Sequence, residues 1–167
     1  GYNDIVVANF SSNNISVLLN NDNGTFSSKV DYATGNGPYS VYVGDVDADG
    51  DDDINVVNLL SSTISVIKNN GDGTFISKVD YPTGAYPTSI FLSDVDGDGH
   101  LDLAATNYNF DDQSVYILIN NGDGTFASKI DYPTGGSPTS LFIRDFDNDG
   151  DNDIAVTNGN SSLLSGL

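Results

Sequence analysis

One nine-residue pattern occurs three times in this chain of 167 residues and constrains its fold more than any other feature. The pattern is D-x-D-x-D-G-x-x-D, and its copies begin at positions 45, 94 and 145, which are 49 and 51 residues apart. Two other segments keep the same period, namely NNDNGTF or NNGDGTF and the SKVDY or SKIDY that follows. A period near 50 residues indicates a chain built from stacked structural repeats.

Each period contains four short runs of residues that are typical of β-strands. In the middle copy these runs cover 88–93, 101–106, 114–120 and 125–132. The Asp pattern lies between the first two runs. The sequence NNGDG, whose residues tolerate positive φ, closes a hairpin between the last two. Four antiparallel strands per period, with no helix, predict an all-β fold made of β-propeller blades.

The repeats predict a single repeat domain of about three and a third blades, which covers the whole chain. The first unit lacks a first strand, because Asp4 aligns with Asp53 and the DxDxD half of its Asp pattern is missing. The last unit ends in SSLLSGL, a weak third strand. We therefore expect a partial propeller, or one that other copies of the chain complete. The predicted units are 1–35, 36–84, 85–135 and 136–167.

The charge of the chain restricts its partners. All 24 acidic residues are Asp and only 5 residues are basic, so the formal charge is −19. A chain this acidic repels the phosphates of nucleic acids and attracts cations. The absence of cysteine excludes a disulfide scaffold, a thiolate metal site and a cysteine nucleophile. No apolar run approaches the roughly 18 residues that a membrane span needs, so we expect none.

The Asp pattern predicts a calcium-binding loop, with an acidic surface turn as the alternative interpretation. Calcium prefers about six to eight oxygen ligands, whereas magnesium needs a small octahedron and keeps its waters. Alternate short carboxylates can surround one ion, the glycine permits the sharp bend, and the seventh residue offers its carbonyl oxygen. We expect about three calcium ions. The predicted side-chain ligands are Asp45, Asp47, Asp49, Asp53, Asp94, Asp96, Asp98, Asp102, Asp145, Asp147, Asp149 and Asp153; the predicted carbonyl ligands are Asp51, His100 and Asp151; and Asp4 belongs to a partial site.

The Asp loop, the apolar strand after it and the NNGDGTF hairpin together resemble VCBS repeats of the FG-GAP-like group. The resemblance covers nearly the whole chain. A literal Phe-Gly…Gly-Ala-Pro is absent, and PTGAYPTS and PTGGSPTS stand in its place, so the VCBS version is the nearer one. The resemblance implies calcium-binding propeller blades and a protein that is extracellular or located at the cell surface.

The remaining polar residues give weaker signals. His100 takes the place of Asp51 and Asp151, so we expect its side chain to face solvent. Four N-x-S/T sequons are candidate glycosylation sites or chance matches, and the blade pattern predicts that the second and third are exposed. Three lysines recur two residues before an aspartate, which is typical of surface ion pairs. The sequons are at Asn9, Asn14, Asn23 and Asn160, and the pairs are Lys29 with Asp31, Lys78 with Asp80 and Lys129 with Asp131.

The sequence predicts no enzymatic activity. A glycosidase needs two carboxylates outside the repeat pattern. Asp111 and Asp112 are the only such pair, but adjacent residues on a loop seldom face the same substrate bond. No nucleophile–base arrangement and no phosphate-binding glycine loop occurs.

We expect a secreted or cell-surface, calcium-stabilised β-propeller module with a structural or adhesive role and a protein or glycan ligand. Its incomplete terminal blades predict self-association into a ring or a fibre, because unpaired strand edges pair with other chains. The alternative function is a carbohydrate-binding, lectin-like propeller, or a non-catalytic part of a polysaccharide-processing protein. Tyr39, Tyr86 and Tyr108 keep that alternative open, since lectins use aromatic residues between blades.

Overall fold

The computed structural model of the chain describes residues 3–109, 112–159 and 165–166. In these residues fourteen β-strands form four antiparallel sheets, and the helical structure is one short 3-10 turn at Phe10–Ser12. The described part of the chain contains no helix with the length and hydrophobicity that a membrane crossing requires.

The four sheets follow one another along the chain, and each is a meander of consecutive strands. The two middle sheets have four strands, and the first and last sheets each have three described strands. The strands are β1 (Ile5–Asn9), β2 (Asn14–Leu18) and β3 (Val30–Ala33); β4 (Pro38–Gly44), β5 (Asp53–Asn58), β6 (Thr63–Ile67) and β7 (Val79–Pro82); β8 (Pro87–Ser93), β9 (Asp102–Asn109), β10 (Asp112–Leu118) and β11 (Ile130–Pro133); and β12 (Pro138–Arg144), β13 (Asp153–Asn158) and β14 (Ser165–Gly166). We call these sheets blades 1 to 4. The all-β, four-stranded antiparallel architecture predicted from the repeats is confirmed.

Antiparallel pairing sorts the connections to two opposite ends of the blades. We call one the Asp-loop end, because it carries the connections between first and second strands and the hairpins between third and fourth strands. The other is the turn end, which carries the turns between second and third strands and the connections between blades. The Asp-loop end comprises the loops 45–52, 94–101 and 145–152 and the hairpins 19–26, 68–75 and 119–126, and the turn end includes 10–13, 59–62, 34–37, 83–86 and 134–137.

The hydrophobic core lies between consecutive blades. Side chains of a strand alternate between its two faces, so a central strand can pack against both neighbouring blades. In β5, Val56 packs with Ile15 of blade 1, whereas Val57 packs with Leu103 of blade 3. A third cluster joins Val115 of blade 3 to blade 4. Each blade therefore depends on its neighbours for burial, as in other repeat proteins.

Aromatic residues at one position of the first strand form a row across three blades. The rings of Tyr42 and Phe91 have centroids 4.8 Å apart, and the rings of Phe91 and Phe142 have centroids 5.2 Å apart. A second kind of contact joins a fourth strand to the next hairpin, where Tyr32 meets Phe75 edge-on at 5.2 Å. Tilted and edge-on contacts of this kind are the arrangements that aromatic rings favour.

The fourth strand is shorter than the sequence predicted. The expected run was 125–132, but β11 begins at Ile130, and Phe126 forms only an isolated bridge with Asn120. The hairpin explains the difference, because the Ala127 amide donates to the Ile119 carbonyl and closes the turn before the chain leaves the ladder. The two-residue insertion in this repeat lengthens the hairpin between β9 and β10, which pair from Asn109 with Asp112 onwards.

Two asparagines of β5 are fully buried but differ in their hydrogen bonding. The Asn58 side-chain amide donates to the hydroxyls of Ser65 and Thr63 at 2.8 and 3.1 Å. The Asn55 side-chain amide has no hydrogen-bond partner among the described residues. The corresponding positions of the other units hold Val6, Ala104 and Ala155. Because an unpartnered buried amide destabilises a fold, Asn55 is a local weakness of blade 2.

We expect Asn55→Val to raise the free energy of unfolding by about 1–2 kcal/mol, because it removes a buried amide that has no partner. The matched control is Asn58→Val, which should lower the free energy of unfolding by about 1–3 kcal/mol, because it breaks the bonds to the two hydroxyls. Urea unfolding of the three proteins measures both effects. Equal destabilisation by the two substitutions would contradict the assignment of Asn55 as unpartnered.

Candidate metal centres

The Asp loops bend sharply where they connect the first and second strands of blades 2, 3 and 4. The glycines at the sixth position, Gly50, Gly99 and Gly150, have φ values of 94°, 92° and 102°, a conformation that favours glycine. The amide of each donates to the carboxylate at the first position of its loop, for example from Gly50 to Asp45 at 2.9 Å. These bends turn the first carboxylate inward over the loop.

The carboxylates at the first, third and ninth positions converge in all three loops. In each loop one oxygen from each of these three residues lies within 4.8 Å of the other two. The second shared feature is the chemistry of the donors, which are carboxylate oxygens alone. The three clusters are Asp45, Asp47 and Asp53; Asp94, Asp96 and Asp102; and Asp145, Asp147 and Asp153.

The predicted ligands at the fifth position do not belong to these clusters. Asp49, Asp98 and Asp149 are exposed, and each accepts a hydrogen bond at 2.9 Å from the amide two residues later. That hydrogen bond closes an Asx turn. Asp96 and Asp147 accept the same kind of hydrogen bond and belong to their clusters, so the turn does not by itself exclude the fifth carboxylate. The participation of these carboxylates and of the carbonyls of Asp51, His100 and Asp151 in metal binding stays a prediction.

The ninth aspartate also anchors the loop to the hairpin of its own blade. In blade 3 the Asp102 carboxylate accepts the amide of Val95 at 2.9 Å and the amide of Asn120 at 2.8 Å. Asp53 accepts the corresponding pair of amides in blade 2. Asp4, predicted as part of an incomplete site, accepts the amide of Asn20 at 2.7 Å. The ninth carboxylate is therefore a structural acceptor as well as a member of the cluster.

Sequence reasoning missed the role of the asparagine that begins each hairpin. The buried Asn120 side chain donates from Nδ2 to the carbonyl of Val46 in blade 2 at 2.7 Å and to that of Leu101 at 2.9 Å. Its Oδ1 accepts the amides of Gly122 and Gly124. The signal is present in the sequence, because NN opens every copy of the hairpin, 16 residues after the ninth aspartate in the first two units and 18 residues after it in the third.

Burial and mutual repulsion raise the pKa of one carboxylate in each cluster. Burial is the main cause for Asp53 and Asp102, and negative charges nearby act in the same direction, while hydrogen bonds from backbone amides oppose both. For Asp147 the amide of Asp149 lowers the pKa, but the charges of Asp149, Asp153 and Asp145 outweigh it. Each cluster therefore holds negative charge that a cation would stabilise.

The clusters fit a calcium ion. In blade 2 the buried Oδ1 of Asp47 has no hydrogen-bond partner among the described residues, which marks an acceptor left open toward the cluster. Calcium and magnesium are hard cations that prefer carboxylate oxygens as ligands, whereas softer metals prefer sulfur or nitrogen. The three convergent carboxylates of each loop would hold the ion, and the ion would supply the positive charge that draws the loop together.

The other residues singled out in the sequence take these positions. The pairs Lys29 with Asp31, Lys78 with Asp80 and Lys129 with Asp131 are present as ion pairs. His100 was expected to face solvent, but it is half-buried, because its ring lies over Gly122 of the hairpin.

The sequons differ from the expectation in one place. Asn23 is exposed, as expected, but Asn14 is half-buried, because its Oδ1 accepts a hydrogen bond from Asn9 at 2.9 Å. Asn160 and Asp111 lie outside the described residues. Tyr39 and Tyr86 are 56% and 50% exposed at the turn end.

Meander sheets that pack face to face, with an Asp loop between the first two strands, define a protein of the β-propeller class. The FG-GAP-like repeat model matches three times, at residues 1–56, 47–105 and 94–156. The chain belongs to the FG-GAP-like repeat family.

Two solved structures resemble the chain. One is described as the basis of specific recognition of non-reducing terminal N-acetylglucosamine by an Agrocybe aegerita lectin, with a TM-score of 0.61 and 21% identity. That match covers 97% of this chain and 50% of the lectin, so this chain spans about half its length. The other is a Photorhabdus luminescens Tc holotoxin pore, with a TM-score of 0.53, 19% identity, and coverage of 96% of this chain and 8% of that one. A comparison with curated proteins gives no match.

We expect the effect of pH on stability to reverse when calcium is added. Without metal, the raised pKa values of Asp53 and Asp102 mean that the folded state keeps protons that the unfolded state releases above about pH 4. Their contribution is fully present below about pH 4 and is lost as the pH rises through the folded pKa. Saturating calcium binds the charged carboxylates, so stability should then increase from pH 4 to pH 7.

Urea unfolding at several pH values, in EDTA and in calcium, measures the two slopes. Asp31→Asn is the control. Hydrogen bonds from Lys29 and Ser16 lower the pKa of Asp31, so its contribution changes below about pH 4 and the slopes above pH 4 should not change. Slopes of the same sign in EDTA and in calcium would contradict the prediction.

Proposed function

We propose that this chain is a calcium-stabilised segment of an extracellular or cell-surface β-propeller, with a structural or adhesive role and no catalytic activity. The observation that carries the proposal is the same triad of convergent carboxylates on three consecutive blades. One acidic turn has no such meaning by itself. Three copies at one end of the stack, with matching backbone bends, support a repeated binding function.

The position of the clusters supports a stabilising role for the ion. Each triad joins the loop between the first two strands to the ninth aspartate, which in blades 2 and 3 also binds the hairpin of its own blade. An ion held by the triad in these two blades therefore stabilises the loop and, through the ninth aspartate, its contact with the hairpin 16 or 18 residues later. A ligand that binds the folded state alone stabilises that state by mass action.

The absence of a movable helix pair supports a structural rather than a signalling role. Calcium sensors of the EF-hand type expose a groove by opening two helices. The helical structure in the described residues is limited to the 3-10 turn at Phe10–Ser12, which is far in sequence from the triads. Calcium bound here would fix the loops in place.

Two further parts of the proposal concern location and chemistry. Extracellular calcium modules work at about 10⁻⁴ to 10⁻³ M calcium, a concentration range that sites with few protein ligands can use. The lack of catalytic activity stays a prediction from the sequence, in which no nucleophile–base arrangement occurs. Self-association through the terminal blades stays a prediction.

We expect three calcium ions per chain in calorimetric titration of protein treated with a chelator. Asp96→Asn should remove one ion and reduce the rise in melting temperature that calcium causes, because it deletes a ligand of the second triad. In EDTA this substitution should leave stability equal or slightly higher, since it removes like-charge repulsion.

The matched control is Asp72→Asn, at the same end of the molecule but outside the triads. The corresponding residue of the first unit is Asn23, so the hairpin accepts the change. The Asp72→Asn variant should therefore still bind three calcium ions. An absence of binding heat, together with a melting temperature that calcium does not change, would contradict the proposal.

A second candidate function is carbohydrate binding, and exposed aromatic residues favour it. Tyr39 and Tyr86 are about half exposed near the connections between blades, together with the exposed side chains of Phe10 and Leu60. Aromatic rings beside polar groups are typical of sugar-binding surfaces. The similar Agrocybe aegerita structure recognises terminal N-acetylglucosamine, which makes this sugar the first probe.

If the turn end binds sugar, a glycan array should show selective binding, and Tyr86→Ala should reduce that binding at least about tenfold through loss of ring contact. Tyr132→Ala is the control, because Tyr132 is also exposed but lies on the outermost strand of blade 3. Equal loss of binding for both variants, or no binding to any glycan, would exclude this function for the turn end.

A further inference from the structure

Lys68 is the one lysine that lies outside the repeated Lys–Asp pairs. It follows β6 directly and precedes the two asparagines that open the hairpin of blade 2. The corresponding residues in units 1 and 3 are Leu19 and Ile119. A charged side chain therefore replaces an apolar one at a position where the backbones of the units match.

The Lys68 side chain lies between two blades at the Asp-loop end. Its Nζ is 3.1 Å from Oδ2 of Asp47 in blade 2 and donates to the carbonyl of Asp123 in blade 3 at 2.5 Å. Its stem passes so close to Gly124 that a Cβ there would lie 2.7 Å from Lys68 Cε. Leu19 makes the corresponding contact with Gly73, so the stem fills the same space as its apolar counterpart.

Asp47 is the third-position carboxylate of the first triad, and Lys68 changes its surroundings. The side chains of Asp47 and Lys68 are only 19% and 25% exposed, whereas the corresponding carboxylate of blade 3, Asp96, is exposed. Asp96 lines a groove together with Ile119, the apolar counterpart of Lys68. One oxygen of Asp47 therefore faces an ammonium group, while the other is open toward the triad.

We infer that Lys68 makes the loop 45–53 a weaker calcium site than the loop 94–102, because its ammonium group pairs with Asp47 and repels the ion. The inference rests on the proposed function, since it concerns calcium at the same triads. A calcium ion at this loop must share the Asp47 carboxylate with Lys68 or displace the Lys68 ammonium group from it. The loop 94–102 has the apolar Ile119 in the corresponding position, so it binds calcium before the loop 45–53 does.

The same contact has the opposite effect when calcium is absent. The ammonium group neutralises part of the negative charge of the first triad and ties it to the next hairpin through Asp123. A partly buried ion pair of this kind stabilises the loop without a metal. Lys68 is thus a tethered cation that stabilises the first loop in place of calcium.

The test replaces Lys68 with the residue of the first unit. Lys68→Leu is measured by calorimetry in the background Asp96→Asn, Asp147→Asn, which disables the other two triads. Calcium affinity of the remaining loop should increase about tenfold or more, because a positive charge near the ion is lost. In EDTA the same substitution should lower the melting temperature. This opposite pair of effects separates charge competition from a purely structural role.

Two further variants complete the experiment. Lys68→Arg keeps the charge and should keep the weak affinity. Ile119→Lys, measured with Asp47→Asn and Asp147→Asn, places an ammonium group beside Asp96 and should weaken the second loop about tenfold. This reciprocal variant tests the inference even if Lys68→Leu fails to fold.

The outcomes separate the inference from the proposed function. If no variant binds calcium, the proposed function fails. If the chain binds three calcium ions but neither Lys68→Leu nor Ile119→Lys changes the affinity of its own loop, the inference about Lys68 is wrong and the proposed function stands.

Discussion

Burial between consecutive blades is the interaction on which the rest of this structure depends. A four-stranded sheet with two apolar faces cannot cover either face by itself, so Val56 and Leu103 become buried only when a neighbouring blade packs on them. The sheets hold the strands in register, but the contacts between sheets provide the hydrophobic free energy. The packing of the blades also fixes the position of each loop at their ends.

The acidic triads are a consequence of that positioning. The bends at the sixth residue and the backbone amides that bind the ninth carboxylate hold the oxygens of each triad together in the folded loop. The stack then sets the hairpin of one blade beside the Asp loop of the blade before it, as the bond from Asn120 to Val46 illustrates. A cation thus meets carboxylates that the fold has already oriented, which limits the entropy lost on binding.

The repeats share a backbone but not every side chain, and the exceptions are informative. Asn55 replaces a small apolar residue in a buried position, and Lys68 replaces an apolar residue beside a triad. In each case the other units supply the residue for comparison within one chain. Differences between the blades can therefore be attributed to single side chains, since the surrounding strands and loops are alike.

The sequence by itself determined the all-β blade architecture, the repeat units and the three Asp loops, because strand alternation, turn residues and ligand spacing are local properties of the chain. The tertiary structure decided which carboxylates converge. The spacing along the loop predicted Asp49 as a ligand alongside Asp45, Asp47 and Asp53, but the folded loop brings together the carboxylates of Asp45, Asp47 and Asp53 without that of Asp49. The contact of Lys68 with Asp47 and Asp123 was also beyond the sequence, because it joins segments up to 55 residues apart, and their proximity arises only when two blades pack.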